Sequence, residues 1–203
     1  METSPLETFS DGVFAIAATL LILEIRVPED THDLTHALLH LWPSYAAYAV
    51  SFVTIGIMWI NHHAIFALVG RVDRTYLTIH VFFLLMIAFV PFPTHVVAQH
   101  LHEDGKTAAF FYGLSLTITA ITFQFVWFYA SRAGRLLRAD VDPRVVSGIT
   151  RAFLPGVPIY AAGMLSALLS QWLSLAVYAA VAVFYVVESS IFGRNEGQNF
   201  STT

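Results

Sequence analysis

Long apolar blocks alternate with short polar breaks along this chain. A helix rises 1.5 Å per residue and the hydrocarbon core of a bilayer is about 30 Å thick, so a spanning helix needs about 20 mostly apolar residues. Blocks at roughly 6–27, 43–69, 76–98, 107–130, 150–170 and 172–192 are long enough. The longer polar breaks are Pro28 to His40 and an arginine-rich stretch, 131–149. The pattern predicts an all-α integral membrane protein, one domain of six transmembrane helices over residues 1–203. Pro91, Pro93, Pro155 and Pro158 are expected to kink or end helices, because proline removes a ladder hydrogen bond. No low-complexity segment or inverted repeat interrupts the pattern.

The first block sorts its residues by face. Successive helical residues turn by about 100°, so Phe9, Ile16, Leu20, Leu23 and Val27 fall within roughly 60° of one another. Asp11, Ala15 and Ala18 fall on the other side. Small residues admit a neighbouring helix and an intramembrane acid needs a protein partner. The Asp11 face is therefore expected to look into protein. The bulky stripe is left to face lipid or a central axis, and the residues alone leave both open.

Composition narrows the classes. The 203 residues are 57% hydrophobic and 12% charged, with a mean hydropathy of +0.67; a soluble domain carries about 25% charged residues. A formal charge of −4 gives no sign of nucleic-acid binding. Cysteine is absent, which excludes disulfides, thiolate nucleophiles and cysteine metal sites. The first apolar run lacks a basic leader and contains Asp11 and Glu24, so no cleavable signal peptide is expected. Of ten basic residues, Arg71, Arg74, Arg132, Arg135, Arg138, Arg144, Arg151 and Arg194 share one side if six helices alternate. The positive-inside rule makes that side, and both termini, cytoplasmic. The outer side then carries His32, His36, His40, His100 and His102 among acids, which read first as solvated loop residues.

Few residues suggest chemistry. His62, His63, His80 and His95 invite a metal reading, but adjacent helical histidines diverge by about 100° and no carboxylate cluster accompanies them. No enzyme activity, resident metal or cofactor is expected. Ser115, Thr119 and Thr122 form a polar stripe whose hydroxyls are expected to bond their own upstream carbonyls. Asp11 lies away from the bulky stripe, which favours a packing role over a place on an ion path.

The segment Phe9-Ser10-Asp11-Gly12-Val13-Phe14-Ala15-Ile16 resembles the FSD signature of the endolysosomal potassium channel family, transmembrane protein 175 and its bacterial relatives. Trp59-Ile60-Asn61-His62-His63 and Phe89-Val90-Pro91-Phe92-Pro93-Thr94 extend the resemblance over residues 6–98; beyond that it is architectural. Pro5 stands where the family usually has an arginine, and His80 where it often has asparagine. The resemblance implies a potassium-selective channel of the inner (plasma) membrane, a homotetramer with the first helix of each subunit lining the pore. Ile16, Leu20 and Leu23 match its constriction sites, with Thr19 and Glu24 beside the pore. Phe9, Ser10 and Asp11 would form a signature network with Trp59, His62, His63 and His80, Ser10 and Asp11 supplying the bonds, that fixes how the first helix stands. Potassium would be the permeant ion and the lipid bilayer the other partner. No TVGYG-like filter is present, so discrimination falls to a narrow apolar ring. The competing reading is a secondary transporter for a cation or small solute. Such proteins show repeats, broken helices and mid-membrane polar groups, and the first helix offers only Thr19.

Overall fold

The computed structural model describes residues 2–26 and 33–199, with side chains through Tyr185. Helix α1 (Ser4–Leu20) tightens into a 3-10 turn at Leu21–Glu24 and is followed by a short helix, α2 (Leu34–His40). Helices α3 (Trp42–Phe66), α4 (Arg74–Phe89), α5 (Pro91–His100) and α6 (Gly105–Ser131) come next. Helices α7 (Pro143–Phe153), α8 (Gly156–Ser166) and α9 (Gln171–Asn199) complete the chain. Among the described residues the only extended pairing is an isolated bridge between Val69 and Leu137. An all-helical architecture is what lipid requires of such apolar segments, since each backbone group must be satisfied within its own element.

Five stretches are long and apolar enough to cross a membrane: Ser4–Glu24, Trp42–Phe66, Arg74–His100, Gly105–Gly134 and Pro143–Ser166. A shorter apolar helical stretch covers Gln171–Tyr185. Starts and breaks follow local chemistry. Asp33, Asp73 and Asp142 cap α2, α4 and α7 by accepting from the backbone N–H of His36, Tyr76 and Arg144. The third span breaks at Val90, where Pro91 has no N–H to continue the ladder, and the fifth breaks before Gly156 next to Pro155.

Two elements depart from the sequence pattern. Helix α2 lies inside the expected polar break from Pro28 to His40. The fifth span starts at Pro143 rather than near residue 150, because α7 occupies the arginine-rich stretch. That helix is strongly amphipathic. Val145, Val146, Ile149 and Phe153 share one side and Arg144 and Arg151 the other, so its average hydropathy is low although its apolar side is well defined. The third span is two helices, in keeping with the break expected at Pro91.

Helix α6 packs against α4, α5, α8 and α9. Close approaches fall at Gly113 on α6 and at Gly163, where α8 meets α9. A Cβ on Gly113 would lie 2.7 Å from Met164 Cα, and one on Gly163 would lie 2.6 Å from the ring of Tyr178. Glycine is therefore a packing requirement at both positions. At one end, the loops after α3 and α6 are stitched together. Gly70 N–H donates to Leu136 O at 2.9 Å, Arg138 N–H to Leu68 O at 2.9 Å, and the Arg71 guanidinium to Arg135 O at 2.8 Å. The turn between α6 and this loop uses two left-handed residues, Ala133 at φ 55° and Gly134 at φ 63°. These bonds gather Arg71, Arg135 and Arg138 at one end of the bundle.

Candidate functional site

Helix α1 and the turn after it bury Leu6, Ser10, Phe14, Ala17 and Leu21, a seam spaced by three or four residues. Such spacing keeps one narrow face against α3 and α4, both of which α1 packs on. This seam corrects the face assignment made from the sequence. Ala15 is exposed, Asp11 and Ala18 are only half-buried, and Ser10 sits at the centre of the packed side. Asp11 does meet a neighbouring helix, as expected of an intramembrane acid, but the small residues beside it do not mark the buried seam.

On one flank of the seam lies the bulky stripe. Ile16 is 61% exposed, Leu20 42% and Leu23 63%, with Phe9 in line at 58%. Thr19 is also exposed, and its hydroxyl donates to the carbonyls of Ala15 and Ile16, so it presents no free donor. On the other flank, Asp11 accepts a hydrogen bond of 2.8 Å from the Trp59 indole N–H on α3.

The seam itself carries a polar anchor. His62 on α3 and His80 on α4 are both fully buried, with their Nε2 atoms 2.8 Å apart. The Ser10 hydroxyl donates to Leu6 O at 2.7 Å and lies 3.4 Å from His80 Nε2. That hydroxyl has spent its one hydrogen, so it can only accept from His80. One proton is shared across the 2.8 Å contact between the two Nε2 atoms; the Ser10 oxygen, 3.4 Å from His80 Nε2, favours His80 as its holder, with His62 Nε2 accepting. An aromatic shell excludes water around the pair. Phe66 stacks on His62 at 4.6 Å, Phe14 lies at 5.3 Å, and Phe83 lies at 5.8 Å from His80. Neither Nδ1 has a hydrogen-bond partner among the described residues.

The other sequence-derived positions separate from this anchor. His63 faces outward and lies 3.5 Å from Glu7, one helical turn before Asp11. Glu24, at the far end of the first span, contacts His95 Nδ1 on α5 at 2.5 Å. Both contacts need the bundle to bring distant segments together, so sequence spacing gave no sign of either. Phe14 and Phe83 were also missed, because nothing in a run of apolar residues marks which rings will surround a polar pair. No group of three or more histidine or acidic side chains converges among the described residues, and none of the histidines above is arranged to hold a metal. The stripe on α6 is internally satisfied: Ser115, Thr119 and Thr122 donate to the carbonyls of Tyr112, Ser115 and Thr119. A second buried hydroxyl cluster ties α3, α5 and α6. Thr94 donates to Ser51 at 2.8 Å, and Ser51 shares a 2.9 Å bond with the Tyr112 hydroxyl.

Outside the membrane spans, Asp73 links three elements. It caps α4, accepts from the Tyr129 hydroxyl at 2.9 Å and lies 3.5 Å from Arg135. The Tyr76 amide holds its carboxyl below the usual range; burial opposes it, and the Tyr129 hydroxyl and Arg135 add to the lowering.

Fold and anchor together define a polytopic helical membrane protein whose polar groups fix helix positions rather than assemble a reaction centre. The profile of the family described as "Endosomal/lysosomal potassium channel TMEM175" matches residues 5–91. The chain is 41% identical to a potassium channel of Chamaesiphon minutus, over 93% of this chain and 96% of that one. It is 44% identical to a potassium channel of Streptomyces collinus, over 91% of each. The crystal structure of a lysosomal potassium-selective channel TMEM175 homolog from Chamaesiphon minutus superposes with a TM-score of 0.83 at 38% identity, covering 92% of this chain and 97% of the other. The chain belongs to the TMEM175 family and is an ion channel protein, not an enzyme.

Proposed function

We propose that this chain is a subunit of a potassium-selective channel, a single six-helix transmembrane domain over residues 1–203. It assembles as a homotetramer in the plasma membrane with both termini cytoplasmic, and helix α1 of each subunit lines the pore. The observation that carries this reading is the open stripe of Ile16, Leu20 and Leu23 on a helix whose adjacent face is anchored by Ser10, His62 and His80. Gly12, Ala15 and Thr19, next to the stripe, are also exposed and small, which suits close approach of a second copy's helix better than contact with lipid.

A ring built from one stripe per subunit is apolar and offers an ion no replacement ligands. Passage requires shedding part of the hydration shell, and potassium, less tightly hydrated than sodium, crosses more readily. The same ring closes the path when it dewets. Glu24 is close to His95 and lies near the end of the stripe, where its charge attracts cations.

Reversal potentials in planar bilayers with mixed potassium and sodium test the reading. Ile16→Asn and Leu20→Asn should each raise conductance and lower the preference for potassium, because amides wet the ring and replace part of the hydration shell. An unchanged permeability ratio in well-assembled Ile16→Asn and Leu20→Asn overturns the pore assignment.

A further inference from the structure

We propose that His36 and His40 form a binding site for one divalent transition-metal ion, of the class of Ni2+, Cu2+ or Zn2+. The two residues are four apart on α2, so they stand one above the other on the same side of the helix. Their rings are 4.1 Å apart between centroids and turn their Nε2 atoms toward each other at 2.9 Å. Two nitrogens that each sit about 2.0–2.1 Å from one ion subtend about 90° at that ion when they are 2.9 Å apart. That is the angle between neighbouring positions of an octahedral or square-planar ion, the geometries of Ni2+ and Cu2+. A tetrahedral Zn2+ asks for a separation of about 3.3 Å, within reach of a small rotation about the side-chain bonds.

Three further observations favour a metal over a mere contact between rings. Both side chains are exposed, so their nitrogens are reachable from solvent and water can fill the remaining coordination positions. The helix is already set by its Asp33 cap, which leaves little backbone ordering for the ion to impose. Helix α2 runs almost directly into α3, whose first residue, Trp42, stacks on Trp172 of α9 at 5.7 Å. The pair is thus mounted on an element attached to the bundle. Bound metal would clip one turn of α2 together at the junction between the first span and α3.

Isothermal titration of the purified full chain in detergent with Ni2+ at neutral pH tests the site. One ion per chain is expected. His36→Ala and His40→Ala should each weaken it at least about tenfold, because the second nitrogen–metal bond is intramolecular when both are present. His102→Ala, on a histidine near Trp172, should leave the binding unchanged. Both pair residues are on the surface, so the variants should elute and unfold as the parent does. Electron paramagnetic resonance of the Cu2+-loaded chain should report two nitrogen ligands, falling to one in either single variant. Binding that persists in the double variant, or its absence from the parent at millimolar Ni2+, overturns the assignment and leaves only a hydrogen bond between two rings. The outcome is independent of ion conduction.

Discussion

His62→Leu removes the acceptor on which the buried His80 Nε2 proton rests, at 2.8 Å. What remains for that proton is Ser10 Oγ at 3.4 Å, too long for a good bond. A buried donor left without a partner costs about 1–3 kcal/mol. His80→Leu leaves the opposite orphan, the His62 Nε2 acceptor. Replacing both with leucine removes donor and acceptor together and keeps an apolar surface for Phe14, Phe66 and Phe83. The double variant should therefore be less destabilised than the sum of the singles. Interhelical hydrogen bonds in membrane proteins couple by about 0.6 kcal/mol on average and about 1.7 at most, because the unfolded chain finds other partners in the membrane. This pair is fully enclosed by aromatic rings, so the coupling should fall in the upper part of that range, about 1–1.7 kcal/mol. The assay is reversible unfolding of parent, singles and double in mixed micelles, followed by tryptophan fluorescence. Strictly additive singles would show that the two rings share no proton, and the anchor described above would be wrong.

Gly113→Ala should destabilise the bundle by about 1–3 kcal/mol, as overpacking does. The new methyl would meet the Tyr178 hydroxyl at 2.2 Å and Met164 Cα at 2.7 Å; Tyr178→Phe should recover part of the loss in the same unfolding assay. The depressed Asp73 carboxyl stabilises the fold above its unfolded value of 3.8, and that contribution is lost as pH falls through 3.8 and below. Asp73→Ala should cost about 0.5–2 kcal/mol near neutrality, chiefly through the lost cap, and should flatten the stability profile on the acid side; a profile of unchanged shape would count against it. Single cysteines in this cysteine-free chain test orientation. Leu39→Cys should react with an impermeant thiol reagent outside intact cells and Ala139→Cys should not, and the reverse pattern would invert the topology.

Hydropathy alone located the apolar spans of this protein, because a segment that enters lipid must close its own backbone bonds and must be long enough to cross. Sequence also singled out the first helix by its intramembrane acid, Asp11, and it separated the Ile16, Leu20 and Leu23 side from the Asp11 side. It placed the Asp11 side against protein but did not mark the seam that packs. In water the buried face of a helix differs from the exposed face in polarity. In a membrane, lipid is as apolar as a leucine core, so the seam of Leu6, Ser10, Phe14, Ala17 and Leu21 carries no such mark. Local averages also hid α7, whose arginines cancel its apolar side, whereas the break at Val90 was legible in Pro91. Partnerships between distant positions belong to the tertiary structure alone. His62 and His80 are 18 residues apart, Glu24 and His95 lie on different spans, and the Val69–Leu137 bridge joins two loops. Each of these contacts forms only when helices that are independently stable in lipid choose neighbours, and that choice rests on small residues such as Gly113 and on a few buried hydrogen bonds.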